Sequence, residues 1–338
     1  MSNSNVFQLN NDFYIKEISK LRVEKNVVIL AHYYQEPEIQ DIADFVGDSL
    51  YLSNKAAQTK AKIILFSGVH FMGETAKILS PDKKVLIPDI QAGCSLVDSC
   101  PPASFKAFVQ QYPEHLIVSY VNSSAEVKAM SDVICTSANA VTIVDSLPAD
   151  AKIIFAPDKN LGRYVEQQTG RTLVLWDGTC EVHENFSREL LEHLMTINPI
   201  AKFIAHPECR ETVLEMADMI GSTSALLKFI NEDDAMEYIV GTEPGIIHQM
   251  KLLQPDKTFI EAPVHKSCNC NECPYMRLNT LEKIYFSLKN ETPEVVLDEE
   301  IMTMASVPIK RMLAHGRGEN TNIYSANDYS PISTNGTQ

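Results

Sequence analysis

The sequence predicts an α/β protein made of three pseudo-threefold-related α/β/α sandwich repeats, each with a small parallel sheet, around a central cavity. Two observations lead to this prediction: a short motif recurs at intervals of 88 and 86 residues, and apolar strands alternate with helices along the chain. Continuous apolar strands are typical of parallel sheets that helices cover on both faces. A chain of 338 residues, 45% of them hydrophobic, can bury a core in several compact units.

The recurring motif is predicted to be a helix. In its first copy, PEIQDIADFVGDS, apolar residues follow the i, i+3, i+4, i+7 spacing of one buried helix face. The four positions are Ile39, Ile42, Ala43 and Val46, then Val127, Met130, Ser131 and Ile134, then Val213, Met216, Ala217 and Ile220. The aspartates Asp44, Asp132 and Asp218 and the hydroxyl residues Ser49, Ser137 and Thr223 keep the same register. This agreement indicates a triplicated fold.

Three apolar segments of each repeat are predicted strands. They read VVILAHYY, KIILFSG and KKVLIPD, then LIVSYVN, KIIFAPD and TLVLWDG, then KFIAHPE, EYIVGTE and KTFIEAP. The first strand of each repeat ends in polar side chains, and ligands of parallel sheets bind beyond the carboxyl ends of strands. These side chains are His32, Tyr33 and Tyr34, then Tyr120 and Asn122, then His206 and Glu208. We therefore expect the three repeats to meet around one site.

Three of the eight cysteines follow the repeat. Cys94, Cys180 and Cys273 each lie just past the last strand of one copy, so the pseudo-symmetry would bring three thiolates together. A structural zinc site would require four ligands, usually in local pairs. The tripod therefore favours an iron–sulfur cube, whose open iron can act as a Lewis acid, over a catalytic zinc with one open position. His183, three residues after Cys180, is expected beside this centre.

The other cysteines have simpler interpretations. Cys100, Cys135 and Cys209 are predicted to be packing residues, as isolated cysteines in a reducing compartment usually are. Cys268 and Cys270 share a short polar loop with Cys273. Either could compete for the metal or take part in a thiol–disulfide switch.

Composition excludes several classes of function. A net charge of −15 argues against nucleic acid or an anionic membrane as a partner. No apolar segment approaches the roughly 18 residues of a membrane span, and the first residues lack the apolar core of a signal peptide. We therefore expect a cytoplasmic protein. Anionic substrates would have to be bound by local donors such as helix N-termini.

A similarity to one family runs from about Val27 to Met312, and its most specific motifs are AHYYQ with GDS, AGC, YVN, FAPDKNLG, WDGTCEVH, HPE, GST, GTEPGIIH and CPYMRLNTLEK. In this order and spacing they resemble the quinolinate synthase family. The resemblance implies a triangular three-domain fold with a [4Fe–4S] cluster on Cys94, Cys180 and Cys273. It also implies that iminoaspartate condenses with dihydroxyacetone phosphate to quinolinate for NAD synthesis, with loss of phosphate and two waters. The CxCxxC spacing around Cys273 departs from the more usual CxxCxxC.

The resemblance and the repeat together assign roles to individual residues. Proton transfer requires groups that titrate near neutral pH, and the expected catalytic residues are His32, Tyr34, Tyr120, His183, His206 and Glu208. The substrates that the resemblance implies are anions, and hydroxyls at helix starts are expected to bind them. The expected substrate-binding residues are His32, Ser49, Tyr120, Val121, Asn122, Ser137, His206, Pro207, Glu208 and Thr223.

The predicted organisation has five parts. They are 1–94, an N-terminal helix and the first repeat; 95–180, the second repeat; 181–265, the third repeat; 266–316, a cluster-binding loop and C-terminal helices that pack back on the first repeat; and 317–338, a disordered tail. Expected partners are the two substrates and, transiently, the enzyme that makes iminoaspartate, with the chain a monomer or homodimer. Two other functions stay open: a hydro-lyase or zinc-dependent aldolase acting on a sugar phosphate, and a non-enzymatic redox or iron sensor.

Overall fold

The computed structural model describes residues 3–264 and 271–316, so Cys268, Cys270 and the predicted disordered tail lie outside the described residues. The chain forms three four-stranded parallel sheets. In each sheet the strand order is the same, with the second strand of the repeat followed by the first, third and fourth. The predicted fold class, α/β with three repeated units, is confirmed.

Each repeat contributes four strands and the helices between them. The strands are β1 Val27–His32, β2 Phe45–Gly47, β3 Ile63–Ser67, β4 Lys84–Leu86, β5 His115–Tyr120, β6 Val133–Cys135, β7 Lys152–Ala156, β8 Leu173–Leu175, β9 Lys202–Ala205, β10 Met219–Ile220, β11 Glu237–Gly241 and β12 Thr258–Glu261. The helices are α1 Asn3–Glu24, α2 Pro37–Ile42, α3 Ser49–Gln58, α4 His70–Leu79, α5 Ser95–Ser99, α6 Pro102–Val109, α7 Ala125–Ala129, α8 Ala140–Ser146, α9 Lys159–Thr169, α10 Glu181–Glu184, α11 Arg188–Ile197, α12 Glu211–Leu214, α13 Thr223–Glu232, α14 Ile246–Leu253, α15 Leu281–Asn290 and α16 Glu299–Gly316.

The apolar strands bury both of their faces. In β1, Val28 and Leu30 belong to one apolar cluster, whereas Val27, Ile29 and Ala31 belong to another on the opposite side of the sheet. Because successive side chains of a strand point to opposite faces, an unbroken apolar segment is what a sheet between two helical layers requires.

The recurring motif is not one helix, and this part of the prediction is wrong. In the first repeat α2 ends at Ile42, and Val46, the last position of the predicted helical face, lies in the edge strand β2. The same break separates α7 from β6 and α12 from β10. The helix ends early because the residues after it pair with the central strand of the sheet.

The repeated aspartate links the edge strand to the central strand by hydrogen bonds. Its backbone N–H donates to the carbonyl of one residue in the central strand, and its Oδ2 accepts the backbone N–H of that central-strand residue. The pairs are Asp44 with Ile29, Asp132 with Ile117 and Asp218 with Phe203, at 2.7–2.9 Å. The recurrence of aspartate at this position therefore has a structural cause.

The two C-terminal helices pack on different parts of the molecule. α15 contacts α1 and β3 of the first repeat, whereas α16 contacts mainly α7 and β6 of the second repeat and also α4 of the first. Ala305, Ile309 and Met312 of α16 enter one apolar cluster with both sheets, while the third repeat has its own clusters. α16 therefore joins the first two repeats. None of the helices in the described ranges is both long and apolar enough to span a membrane.

Replacing Asp218 by Ala should lower the free energy of unfolding by about 1–3 kcal/mol, because the buried N–H of Phe203 loses its partner. Asp218→Asn keeps an acceptor oxygen and should lose less. Chemical denaturation measures both, with Asp234→Ala, at an exposed position, as the control. Equal stability of the Asp218→Ala and Asp234→Ala variants would contradict this role.

Candidate active site

The carboxyl-end edges of the three sheets face one cavity, which with its mouth encloses about 730 Å³. The predicted site residues that line it are His32, Tyr34, Ser49, Cys94, Tyr120, Asn122, Ser137, Cys180, His183, His206, Glu208, Thr223 and Cys273. Val121 and Pro207 are buried but do not line the cavity. Among its described lining residues none is a lysine or arginine.

The three cysteines share a local environment. Each lies just before a helical turn, and its sulfur accepts backbone N–H groups of that turn. The donors are Leu96 and Val97 for Cys94, His183 for Cys180, and Tyr275 and Met276 for Cys273. Such donors favour a thiolate. Burial nevertheless dominates and raises the thiol pKa, to about 11 for Cys273 and further for the other two. A bound metal would offset that cost, so these thiols suit metal ligation.

The segment that carries Cys273 is tied to the first and third repeats. Glu243, which follows β11, is fully buried, and its Oε1 accepts the N–H of Cys273 at 3.4 Å and an N–H of Arg277 at 2.6 Å. Arg277 also forms an ion pair of 2.8 Å with Glu36. Sequence reasoning missed Glu243 and Arg277, although both lie in motifs of the family resemblance, GTEPG and CPYMR.

An aromatic side chain connects two of the cysteine-bearing segments. Tyr275 lines the cavity, and its hydroxyl donates to Asp98 of α5 at 3.0 Å. Its ring lies so close to Gly93 that a Cβ there would be 3.2 Å away. Glycine before Cys94 therefore leaves room for this ring, which accounts for the glycine of the AGC motif.

Three hydrogen bonds connect Tyr34 to Glu208 through two polar groups. The Tyr34 hydroxyl is 2.6 Å from Thr242 Oγ1, which is 2.9 Å from His183 Nε2, and His183 Nδ1 is 2.8 Å from Glu208 Oε2. One hydrogen-bond direction satisfies them all: Tyr34 donates to Thr242, Thr242 to His183, and His183 to the carboxylate. Thr242 was missed by sequence reasoning, although it follows a strand at the carboxyl-end edge.

Glu208 is an ionised carboxylate in this cavity. Burial would raise its pKa, but the contact with His183 and the hydrogen bonds from His183 and Tyr120 outweigh burial and lower the pKa. The Tyr120 hydroxyl donates to Oε1 at 2.6 Å. Burial and the nearby carboxylate raise the pKa of Tyr34 and Tyr120 well above the ordinary value, so both remain neutral donors.

His32 and His206 are equivalent residues in two repeats. The Nδ1 of each accepts a backbone N–H from two residues further on, Tyr34 at 3.2 Å and Glu208 at 3.4 Å, so the proton is on Nε2. Nε2 of His206 donates to Ser137 Oγ at 3.0 Å. Burial lowers the pKa of both histidines to about 3. They are therefore neutral donors, and the expectation that they titrate near neutral pH is wrong.

The three repeated hydroxyls reach the cavity without capping a helix. Ser49 and Thr223 are the first residues of α3 and α13, and Ser137 lies in the turn before α8. The N-cap positions belong to their neighbours Asp48, Asn139 and Ser222, of which Asp48 and Ser222 accept helical N–H groups. The hydroxyls are thus free to contact a ligand.

A further group of possible metal ligands overlaps the thiols. Ligand atoms of Cys180, His183 and Glu208 all lie within 4.8 Å of one another. A sulfur, a nitrogen and an oxygen could in principle hold one zinc ion with an open position. However, His183 Nδ1 and Glu208 Oε2 are already hydrogen-bonded at 2.8 Å, so zinc would have to displace that proton.

Comparison with known proteins identifies the family. A family model described as "Quinolinate synthetase A protein" matches residues 16–314. The chain belongs to the quinolinate synthase family. It is 61% identical over 296 residues to quinolinate synthase of Nostoc sp. (strain PCC 7120), covering 88% of this chain and 91% of that protein. It is 61% identical over 297 residues to that of Synechocystis sp. (strain PCC 6803), covering 88% and 93%, and 57% identical over 311 residues to that of Trichodesmium erythraeum, covering 92% and 96%.

Membership of the quinolinate synthase family confirms both the resemblance found in the motifs and the prediction of an enzyme. The matched range begins within α1 and ends within α16, so it includes all three sheets. All the lining residues of the cavity fall inside this range. The cavity is therefore the candidate active site.

Replacing Arg277 by Gln should loosen the segment that carries Cys273, because the buried ion pair with Glu243 is lost. In the metal-free protein, alkylation of Cys273 should become several-fold faster, as followed by mass spectrometry of its peptide. Arg188→Gln removes an exposed arginine that also pairs with two carboxylates and serves as the control. Equal alkylation rates in wild type and Arg277→Gln would show that the ion pair does not hold this segment.

Proposed function

We propose that this protein is a quinolinate synthase that condenses iminoaspartate with dihydroxyacetone phosphate, releasing phosphate and two waters, in de novo NAD biosynthesis. The observation that carries the proposal is the convergence of Cys94, Cys180 and Cys273, each of which follows the last strand of one repeat, in a cavity that also holds an ionised Glu208. The relatives are named quinolinate synthase, which supports quinolinate as the reaction product.

A [4Fe–4S] cluster is the proposed cofactor. Cys94, Cys180 and Cys273 would hold it, and the N–H donors around each sulfur fit three metal-bound thiolates. When bound, the cluster would supply a Lewis-acidic iron with an open coordination position. The alternative zinc set shares only Cys180 with this tripod and would disrupt the contact between His183 and Glu208.

Anionic substrates would be held by neutral donors. Hydroxyls of Ser49, Ser137 and Thr223 and the amide of Asn122 line the cavity. His206 donates to Ser137, which leaves the Ser137 hydroxyl hydrogen free to donate to a carboxylate or phosphate oxygen. In a water-poor cavity such hydrogen bonds to charged oxygens are stronger than neutral ones.

A proton could leave the substrate through the hydrogen-bond series that begins at Tyr34. As Tyr34 accepts a proton from the substrate, it passes its own to Thr242, which passes one to His183 and thence to Glu208. Each group keeps its protonation state except Glu208, which gains the proton. This use of a carboxylate acceptor avoids forming a tyrosinate, which burial disfavours.

An anaerobic assay for quinolinate from iminoaspartate and dihydroxyacetone phosphate tests the function. The purified protein should be brown, absorb near 400 nm and contain about four irons. Single Ala variants of Cys94, Cys180 and Cys273 should lose most iron, sulfide and activity yet remain folded.

Cys100→Ala is the matched control for the cysteine variants, because Cys100 is buried outside the cavity. Bound zinc with no iron, or a colourless active enzyme, would favour the zinc-dependent alternative. A bound cluster without quinolinate formation would favour the sensor. A full cluster in the Cys273→Ala variant would mean that Cys268 or Cys270 is the third ligand.

Loss of the repeated hydroxyls should weaken ligand binding more than stability. Ser49→Ala, Ser137→Ala and Thr223→Ala should each raise the Kd for quinolinate by about tenfold, the effect of one hydrogen bond to a charged group. Their melting temperatures should stay near wild type because the N-cap residues are intact. Ser222→Ala, which removes a cap, should show the opposite pattern. Unchanged affinity with lower stability would assign the hydroxyls a structural role.

The cytoplasmic location, the transient partner and the choice between monomer and homodimer stay predictions from the sequence.

A further inference from the structure

Lys128 of α7 is a fully buried cation behind the wall of the cavity. Its ammonium donates to the carbonyl of Ser123 and lies 5.2 Å from the ring centroid of Phe71, which lines the cavity. Within residues 3–264 and 271–316, no ion pair closer than 4.0 Å includes Lys128. A buried ammonium without an ion pair is costly, so a compensating interaction is expected.

Three groups that are negative when ionised act on Lys128 from a distance: Glu74, Cys94 and Glu126. The Glu74 carboxylate has other partners, because Oε2 accepts the N–H of Ala125 at 3.0 Å and Oε1 lies 3.4 Å from His70 Nδ1. Burial lowers the pKa of Lys128 to about 8, while negative charge on Glu74, Cys94 and Glu126 opposes this shift. Lys128 is thus largely protonated at neutral pH.

The cavity in front of Lys128 would gain negative charge once its three cysteines bind metal as thiolates. Its lining combines three cysteines with acidic side chains and, among the described residues, no lysine or arginine. Arg277, near Cys273, is already paired with Glu243 and Glu36. Three thiolates also leave a [4Fe–4S] assembly net negative, and the cost of that charge in a buried site must be offset by a nearby cation.

We propose that Lys128 is the buried countercharge of the metal centre, whose ammonium stabilises the negative charge of the Cys94 thiolate and the bound cluster across the Phe71 wall. This inference rests on the proposed function, since it requires a cluster on the three cysteines. Lys128 is a positioning residue that acts through the electric field, and it does not contact substrate. Its burial is unfavourable in the metal-free protein and becomes favourable when the cluster binds.

Replacing Lys128 by a neutral residue should therefore change the cluster and spare the fold. A nearby positive charge favours the reduced, more negative form, so Lys128→Met should lower the midpoint potential of the cluster. Loss of iron to a chelator should be faster by about tenfold, the order expected for one unit charge at several ångströms in a protein interior. The metal-free Lys128→Met variant should unfold at the same or a higher denaturant concentration than metal-free wild type.

The experiment compares anaerobically reconstituted wild type with Lys128→Met, Lys128→Gln and Lys128→Arg. Lys128→Gln keeps a donor for the Ser123 carbonyl but removes the charge. It therefore separates the effect of the hydrogen bond from the effect of the charge, and it replaces Lys128→Met if that variant does not fold. Lys128→Arg keeps the charge, and Lys106→Met removes an exposed lysine of α6. Redox titration followed by electron paramagnetic resonance gives the potential, iron release gives cluster retention, and denaturation gives the stability of each metal-free protein.

The countercharge role is supported if both neutral variants lower the potential and release iron faster, while Lys128→Arg and Lys106→Met resemble wild type. It is overturned if the potential and iron release stay unchanged in the neutral variants, or if only quinolinate affinity falls. It is also overturned if Lys128→Gln retains wild-type cluster behaviour while Lys128→Met loses stability in the metal-free form, since the lysine would then serve only the Ser123 carbonyl. A wild-type protein that assembles no cluster would overturn the proposed function as well.

Discussion

The parallel direction of the strands is the constraint on which the site depends. Because every strand of a parallel sheet ends at the same edge, each repeat collects its strand-end side chains on one side. Three such edges face one cavity, so groups far apart in the chain become neighbours there. The hydrogen bonds between Asp218 and Phe203, like those of the two equivalent pairs, set the register of the edge strand on the central strand. They therefore also set where the helix after the edge strand begins.

Burial sets the protonation states inside this cavity. It keeps His32 and His206 neutral, and it keeps Tyr34 and Tyr120 protonated, whereas contacts from His183 and Tyr120 hold Glu208 ionised. The result is a set of donors around one carboxylate acceptor. Charge is thus concentrated on Glu208 and on the proposed metal ligands, while the surrounding groups contribute hydrogen bonds.

The sequence was sufficient for those features that local patterns determine. Apolar segments and the spacing of the repeat were enough to predict nine of the strands, the repeat itself and the clustering of the three cysteines. The edge strands were missed because two or three residues such as Met219–Ile220 carry too short a pattern. Thr242 and Lys128 were missed for a different reason: their importance lies in partners from distant parts of the chain, and residue type alone does not reveal those partners.

The distribution of the cysteines also has a consequence for biosynthesis. More than eighty residues separate each of these cysteines from the next, and Cys273 leaves the ribosome only when most of the chain has been made. Domains generally fold as units during synthesis, with the N-terminal ones first. The first two repeats can therefore form before Cys273 emerges, and α16, which joins them, emerges after it. Iron delivered before Cys273 emerges would find at most two of the three sulfurs, so cofactor insertion is expected only late in synthesis or after it.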